Sequence, residues 1–195
     1  MPDAMDELGN LDPGNVPAEQ VERLIAEIDP AQLDPALFRD LLAAVGSTRI
    51  DLSGVSPTAF ATLISRASRE QIEAVSAAEP VRRQVLDEIF ARMTGQFRAH
   101  RAGSAAGVAH WLVGDKPGGG HDGYQMVIED GSCEITRELD REPRLTLSMG
   151  IVEFIRLVSG NANAPMMFLT GKLKIRGDLP FAVNMLGFFD IPKPA

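Results

Sequence analysis

The sequence predicts an α+β protein: an acidic, all-helical front over residues 1–79, then residues 80–195 folded as a largely antiparallel five-stranded sheet with covering helices. Three observations carry this reading. Apolar residues recur at helical spacing as far as Phe97 and then alternate with a period of two from Val108 onward. Charge also divides along the chain: residues 1–80 hold 5 Arg, no Lys and 14 acids, a net −9, while 81–195 hold 14 bases and 13 acids, a net +1. Such asymmetry marks two modules. Finally, Asp130-Gly131 stands between two alternating runs, which is a hairpin signal.

Residues 1–15 combine Pro, Gly, Asn and Asp without apolar periodicity and read as a flexible lead-in. Val21, Leu24, Ile25 and Ile28 then share one helical face. Asp34-Pro35 is an N-cap followed by the position where proline's missing N–H costs nothing, and Leu37, Phe38, Leu41, Leu42 and Val45 form the next stripe, stopped by Gly46. Ser56-Pro57 repeats the start signal ahead of Phe60, Leu63 and Ile64, and Ser68 with Gln71 makes a capping box before Ile72 and Val75. Val16, Leu24-Ile25 and Gln32-Leu33 recur 39 residues later as Val55, Leu63-Ile64 and Gln71-Ile72. Two related helical units and a coincidence of similar hairpins both fit that pattern. Pro80 opens a longer amphipathic stretch carrying Val81, Val85, Ile89, Phe90, Met93 and Phe97, which joins the modules.

The alternating runs 108–113, 124–129, 133–139 and 144–149 read as four short strands, joined in succession as hairpins. Ile151, Phe154, Ile155 and Val158 give a short helix that Gly160 ends. In 167–176, Met167, Leu169, Leu173 and Ile175 alternate with Thr170, Lys172, Lys174 and Arg176, so a fifth strand has one apolar and one basic face. The last element, 180–189, is apolar nearly all round and must cover something or be covered.

Composition excludes several functions. No apolar run is long enough to span a bilayer, and the acidic start has neither a basic n-region nor an apolar h-region, so the expected location is cytoplasmic. The single Cys133 leaves no disulfide framework and no multi-cysteine metal site. His100, His110 and His121 are too scattered for a metal motif, and His110, inside a strand, reads as a hydrogen-bonded structural residue. The glycine-rich 114–123 segment lacks both the phosphate-loop ending and the dinucleotide spacing, and reads as an exposed hairpin loop. Glu134, Glu138, Asp140 and Glu142 belong to a wetted strand face and its continuation rather than to an acid–base pair. Without a nucleophile–base pair the chain is read as no enzyme, with no cofactor and no metal. An acidic front without a basic footprint also argues against nucleic acid as a partner.

Two features keep alternative readings open. The row Lys172, Lys174 and Arg176, with Lys193 beyond it, is either a solvated face or a contact for the anionic headgroups of a membrane surface. The apolar set Met126, Ile128, Leu145, Leu147, Phe154, Met166, Met167, Phe168, Phe181, Met185, Phe188 and Phe189 is either a packed core or the wall of a cavity. Methionine and phenylalanine concentrate in the last third, where adaptable side chains suit a variable apolar ligand.

The segment Phe168-Leu-Thr-Gly-Lys-Leu-Lys-Ile-Arg-Gly177, followed by Asp-Leu-Pro-Phe-Ala-Val-Asn-Met-Leu186, resembles the signature of the sterol carrier protein type 2 family. The order of strands and helices before it is similar too, and the resemblance covers about residues 80–195. It implies a lipid held in an apolar tunnel between sheet and helices without covalent chemistry, the lipid being a sterol, fatty acid, acyl-CoA or phospholipid. Carried over by position, and joined to the inward strand residues Met126, Ile128 and Leu147, the wall would take Phe154, Ile155 and Val158 from the 151–158 helix. Met166, Met167 and Phe168 would form the approach, and Phe181, Met185, Phe188 and Phe189 the last helix. Thr170 and Pro180 depart from the family pattern, and Pro192-Lys-Pro-Ala195 is no peroxisomal tripeptide. The competing expectation is an interaction module with a filled second half, docking a partner enzyme through the acidic helices.

Overall fold

A computed structural model describes residues 29–30, 33–39 and 56–192. The expected lead-in, the helix over 21–28, the 41–46 end of the next helix, most of the first copy of the repeat, and Lys193 lie outside the described residues, as does the side chain of Phe60. The chain divides into two units, Met1–Glu88 with Ser159–Asn161 and Pro192–Ala195, and Ile89–Val158 with Ala162–Ile191.

In the first unit the helix starts follow the sequence. Asp34 Oδ1 accepts the Leu37 N–H at 2.9 Å, and Ser56 Oγ accepts the Ala59 N–H at 3.2 Å at the head of α1 (Pro57–Arg66). Ser68 and Gln71 bond each other reciprocally at the head of α2 (Arg69–Ala77), at 3.1 and 2.8 Å. The Gln71 amide nitrogen also donates to the carbonyls of Pro30 and Leu33, at 2.6 and 2.7 Å. A buried amide thereby has its donors and acceptor used. Helix α3 (Glu79–Gln96) starts in this unit, where Leu86 is buried, and ends in the second, where Ile89, Phe90 and Met93 are buried.

The second unit is built on β1 (Gly107–Val113), β2 (Asp122–Glu129), β3 (Ser132–Thr136), β4 (Leu145–Met149) and β5 (Leu173–Gly177). Helices α4 (Ala99–Ala102), α5 (Ile151–Val158), α6 (Ala164–Leu169) and α7 (Leu179–Met185) accompany it, the last running into a 3-10 turn at Leu186–Phe188. Asp130 and Gly131 have φ of 51° and 73°, the paired positive values that a two-residue hairpin turn requires.

The sheet order is β3-β2-β1-β4-β5, and the sheet is mixed. Three pairings are antiparallel, but β4 lies parallel to β1, with Leu147 opposite Trp111. This corrects the expectation of successive hairpins. Strand β3 stops at Thr136, short of Leu139, and the following loop is drawn back over the sheet: Gln125 Nε2 donates to Asp140 Oδ1 at 2.6 Å, and Gln125 Oε1 accepts the Arg141 N–H at 2.9 Å. Arg144 N–H then bonds the Val108 carbonyl at 2.9 Å, delivering β4 beside β1. His110 Nε2 lies 3.2 Å from the same Gln125 Oε1.

The fifth strand is also shorter than its alternation suggests, because Met167 and Leu169 lie in α6. Asn163 Oδ1 accepts the Met166 N–H at 3.1 Å, and Pro165 sits in the first turn. Thr170 and Gly171, whose φ is 72°, close the helix before the strand begins. The last helix begins at Leu179 rather than Pro180, because Asp178 Oδ1 accepts the Phe181 N–H at 2.8 Å. No helix among the described residues is long and apolar enough to cross a membrane.

Candidate functional site

Register fixes which side chains share a face. Ala109, Trp111 and Val113 of β1 lie opposite Met126, Tyr124 and Asp122 of β2, and opposite Leu145, Leu147 and Met149 of β4; the last three lie opposite Gly177, Ile175 and Leu173 of β5. The resulting face is almost wholly apolar, while His110, Gln125, Thr146, Lys174 and Arg176 share the other.

Over β1 and β2 the apolar face is filled by rings. Phe90 of α3 stacks on Tyr124 with ring centres 3.9 Å apart and on Phe154 of α5 at 5.0 Å, and Trp111 meets Phe154 edge-on at 5.9 Å. The buried Trp111 indole N–H has no acceptor among the described residues. Arg137 covers the outer part of Tyr124, its guanidinium 4.7 Å from the ring centre and Nη2 donating to the hydroxyl at 2.5 Å.

Over β4 and β5 the same face is hollow. A cavity of about 310 Å³ has Leu147, Leu173 and Ile175 as its floor. Leu157 of α5, Ala164, Pro165, Phe168 and Leu169 of α6, and Leu179, Ala182, Val183 and Leu186 at the end of the chain complete the wall. Every lining side chain is apolar. Leu169 is 77% exposed and Val183 73%, and Phe168 and Leu179 are also exposed, so α6 and α7 form an apolar rim open to solvent.

The elements around the cavity are held by specific contacts. Arg144 bonds Asp178 through Nε at 2.8 Å and Nη2 at 2.7 Å, and its guanidinium lies 4.6 Å from the Phe181 ring centre. The Phe181 N–H and then the Arg144 guanidinium hold the Asp178 carboxyl below its ordinary value. Gly177 has φ of 97°, and a side chain there would strike the Arg144 carbonyl, so only glycine brings β5 this close to β4 before the turn into α7. Beyond α7, Asp190 meets Arg98 Nε and Arg101 Nη1 at 2.6 Å each, and Phe97 and Phe189 form a β-bridge with their rings 5.6 Å apart. The roofing helix is thus pinned before and after its span.

Of the residues expected to line a tunnel, only Leu147 and Phe168 stand in the cavity wall. Met126, Ile128 and Phe154 are buried on the ring-filled side, and Ile155, Val158, Met167, Phe181, Met185, Phe188 and Phe189 are buried without reaching the wall. Met166 is exposed on α6, outside the lining. The reason is physical: apolar periodicity reports burial, and burial is the same against a filled interior and beside a hollow one. The missed wall residues carried one signal, the small side chains Ala164, Pro165 and Ala182 among larger apolar neighbours. Lys172, Lys174 and Arg176 are all exposed. Burial pushes the Cys133 thiol up to about 12, so it supplies no thiolate at neutral pH.

A mixed five-stranded sheet with helices over one apolar face defines an α+β class with an internal apolar cavity. Within that class the family is shown by sequence: residues 86–190 match the SCP-2 sterol transfer family, and the chain belongs to it. The chain is 28% identical to human Sterol carrier protein 2 over 79 residues, 40% of this chain, and the match spans only 14% of that relative's length. Among solved structures it is similar to sterol carrier protein domain 2 of Helicoverpa armigera, at 19% identity and a TM-score of 0.43, covering 62% of this chain and 88% of that one. It is also similar to part of a stereoselective inverting sec-alkylsulfatase from Pseudomonas sp., at 14% identity and a TM-score of 0.48, covering 96% of this chain and 34% of that one.

Proposed function

We propose that this protein is a cytoplasmic carrier that binds the hydrocarbon part of a lipid in the cavity over β4 and β5 and releases it unchanged. The observation that carries this reading is the wall itself, in which every side chain is apolar and the opening lies between two helices with exposed apolar residues. An apolar tail leaving water gains about 25 cal/mol per Å² buried, before the cost of ordering. The lining offers no nucleophile and no acid–base group, so the ligand keeps its covalent structure. Membership of a sterol transfer family supports a lipid as the ligand class.

Size narrows the class. A cavity of roughly 150 Å³ holds benzene, so about 310 Å³ takes on the order of a dozen carbon atoms. A single acyl chain enters such a space in part, with its polar head left at the rim, whereas a rigid sterol nucleus requires the roof to move. Residues 80–195 suffice for this function in the proposal, and residues 1–79 form a separable helical module.

The test is a fluorescence titration with cis-parinaric acid, followed by displacement with oleate and with cholesterol. The proposal expects saturable one-to-one binding, displaced by oleate at lower concentration than by cholesterol. Absence of saturable binding, with the protein folded by circular dichroism, would overturn it.

A further inference from the structure

We infer that the cavity mouth docks on an anionic lipid bilayer, with the α6–α7 rim entering the headgroup region and Lys172, Lys174 and Arg176 of the β5 edge contacting lipid phosphates and carboxylates. The inference deepens the lipid-carrying reading and rests on it for its purpose, since a tail passing between bilayer and cavity then never crosses water.

Two independent features meet at this edge of the sheet. The first is the apolar rim, in which Phe168, Leu169, Leu179 and Val183 are exposed and Met166 adds a further exposed apolar side chain on α6. Exposed apolar residues concentrated on two adjacent short helices mark a contact surface rather than ordinary solvated protein.

The second feature is charge. In the second unit the other basic side chains are engaged: Arg98 and Arg101 with Asp190, Lys116 and Arg137 with Asp122, Arg141 with Glu129, and Arg144 with Asp178. Arg92 and Arg156 have partners as well. Lys172, Lys174 and Arg176 alone among the described cations of this unit have no ion pair and no side-chain hydrogen bond with any described residue. Lys174 and Arg176 sit on the strand that floors the cavity, on the face opposite Leu173 and Ile175, and Lys172 stands just before that strand, three residues after Leu169. Between Asn161 and Pro192 the only acids are Asp178 and Asp190, and both are already neutralised by arginines. In a chain of net charge −8 this edge is therefore a local cationic surface beside an apolar one. That pairing is complementary to a bilayer whose surface is anionic and whose interior is hydrocarbon.

Co-flotation of the full chain with vesicles tests this, using phosphatidylcholine alone and phosphatidylcholine mixed with phosphatidylserine, alongside cis-parinaric acid binding in solution. The wild type should float with the mixed vesicles, weakly with the neutral ones, and less as salt rises. Each cation near such a surface contributes about fivefold to binding, so Lys172→Gln with Lys174→Gln should weaken flotation roughly twentyfold and leave the solution titration unchanged. Met166→Glu, which alters the rim outside the cavity wall, should also weaken flotation. Equal flotation on neutral and anionic vesicles, or variants that float like wild type, would overturn the docking inference. So would a wild-type dimer in sedimentation that Met166→Glu converts to monomer, because a second copy would then occupy the rim. Flotation that behaves as expected from a protein that binds no parinaric acid supports docking and removes the carrier reading instead.

Discussion

One face of one sheet is packed in two ways. Over β1 and β2 it meets Phe90 and Phe154, whose rings pack against Trp111 and Tyr124. Over β4 and β5 it meets Ala164, Pro165 and Ala182 together with leucines, and a cavity of about 310 Å³ remains. The backbone pairing is continuous through both regions, with Trp111 directly opposite Leu147 at the boundary. The sheet runs on unchanged, and what differs is the roof: α3 and α5 bring rings to one half, while α6 and α7 bring small and aliphatic side chains with one ring to the other.

The sharpest way to break this comparison uses two leucines two residues apart on β4, both buried and both on the apolar face. Leu145 lies outside the cavity wall and Leu147 within it. Leu145→Ala should cost about 2–5 kcal/mol of stability in urea denaturation, the usual loss for a truncated core leucine. Leu147→Ala should cost less, since part of its surface already lacks contacting atoms, and should change ligand affinity where Leu145→Ala does not. Equal losses for the two variants would mean that the region over β4 and β5 is as tightly filled as the rest.

Adding volume inverts the test. Ala109 on β1 is wholly buried, and Ala109→Leu should destabilise by roughly 1–3 kcal/mol through overpacking. Ala182→Leu projects the same added atoms into the cavity wall, and should leave the melting temperature unchanged or higher while weakening parinaric acid binding. A large loss of stability from Ala182→Leu would contradict the hollow.

Much of the fold was legible because its determinants are local. Ser56, the Ser68–Gln71 box, Asp34 and the Asp130-Gly131 turn each act within four residues, and each does in the structure what its spacing implies. The β1–β4 pairing was not legible, since alternation states that a strand exists and says nothing about which neighbour it takes. Helix α6 was missed although Asn163 and Pro165 carry a start signal close to the one read at Ser56-Pro57. Alternating apolar residues from Met167 to Ile175 obscured it. At the candidate site the deficiency is of another kind. A sequence lists apolar residues but not the volume they must fill, so Met126, Phe154 and Met185 could not be told from Leu147 and Phe168. The cavity wall falls partly within the signature segment, where β5 and α7 supply five of its residues.

The smallest expected effect concerns pH. The Phe181 N–H and Arg144 depress the Asp178 carboxyl, and Arg98 and Arg101 depress that of Asp190, both below the ordinary value of 3.8. A carboxyl lowered in the folded state stabilises it above that ordinary value, and the contribution disappears as pH falls through the lower folded value. The pins on either side of α7 should therefore hold across the neutral and mildly acidic range and loosen only below pH 3.8. Stopped-flow release of parinaric acid should accelerate there in the wild type, and less so in Asp178→Asn with Asp190→Asn, which lacks the charges at every pH. Acceleration beginning near neutral pH, unchanged in that variant, would assign the roof's mobility to other groups.

The central claim, that the hollow over β4 and β5 is where a lipid resides, is tested most directly by native mass spectrometry of protein prepared without detergent. Wild type and Ala182→Leu are compared as purified and again after incubation with oleate. The account predicts a lipid-sized mass increment on the wild type in at least the incubated sample, and its loss or marked reduction in Ala182→Leu while the variant remains folded. An unmodified mass for the wild type under both conditions, or an increment that Ala182→Leu retains in full, would contradict it.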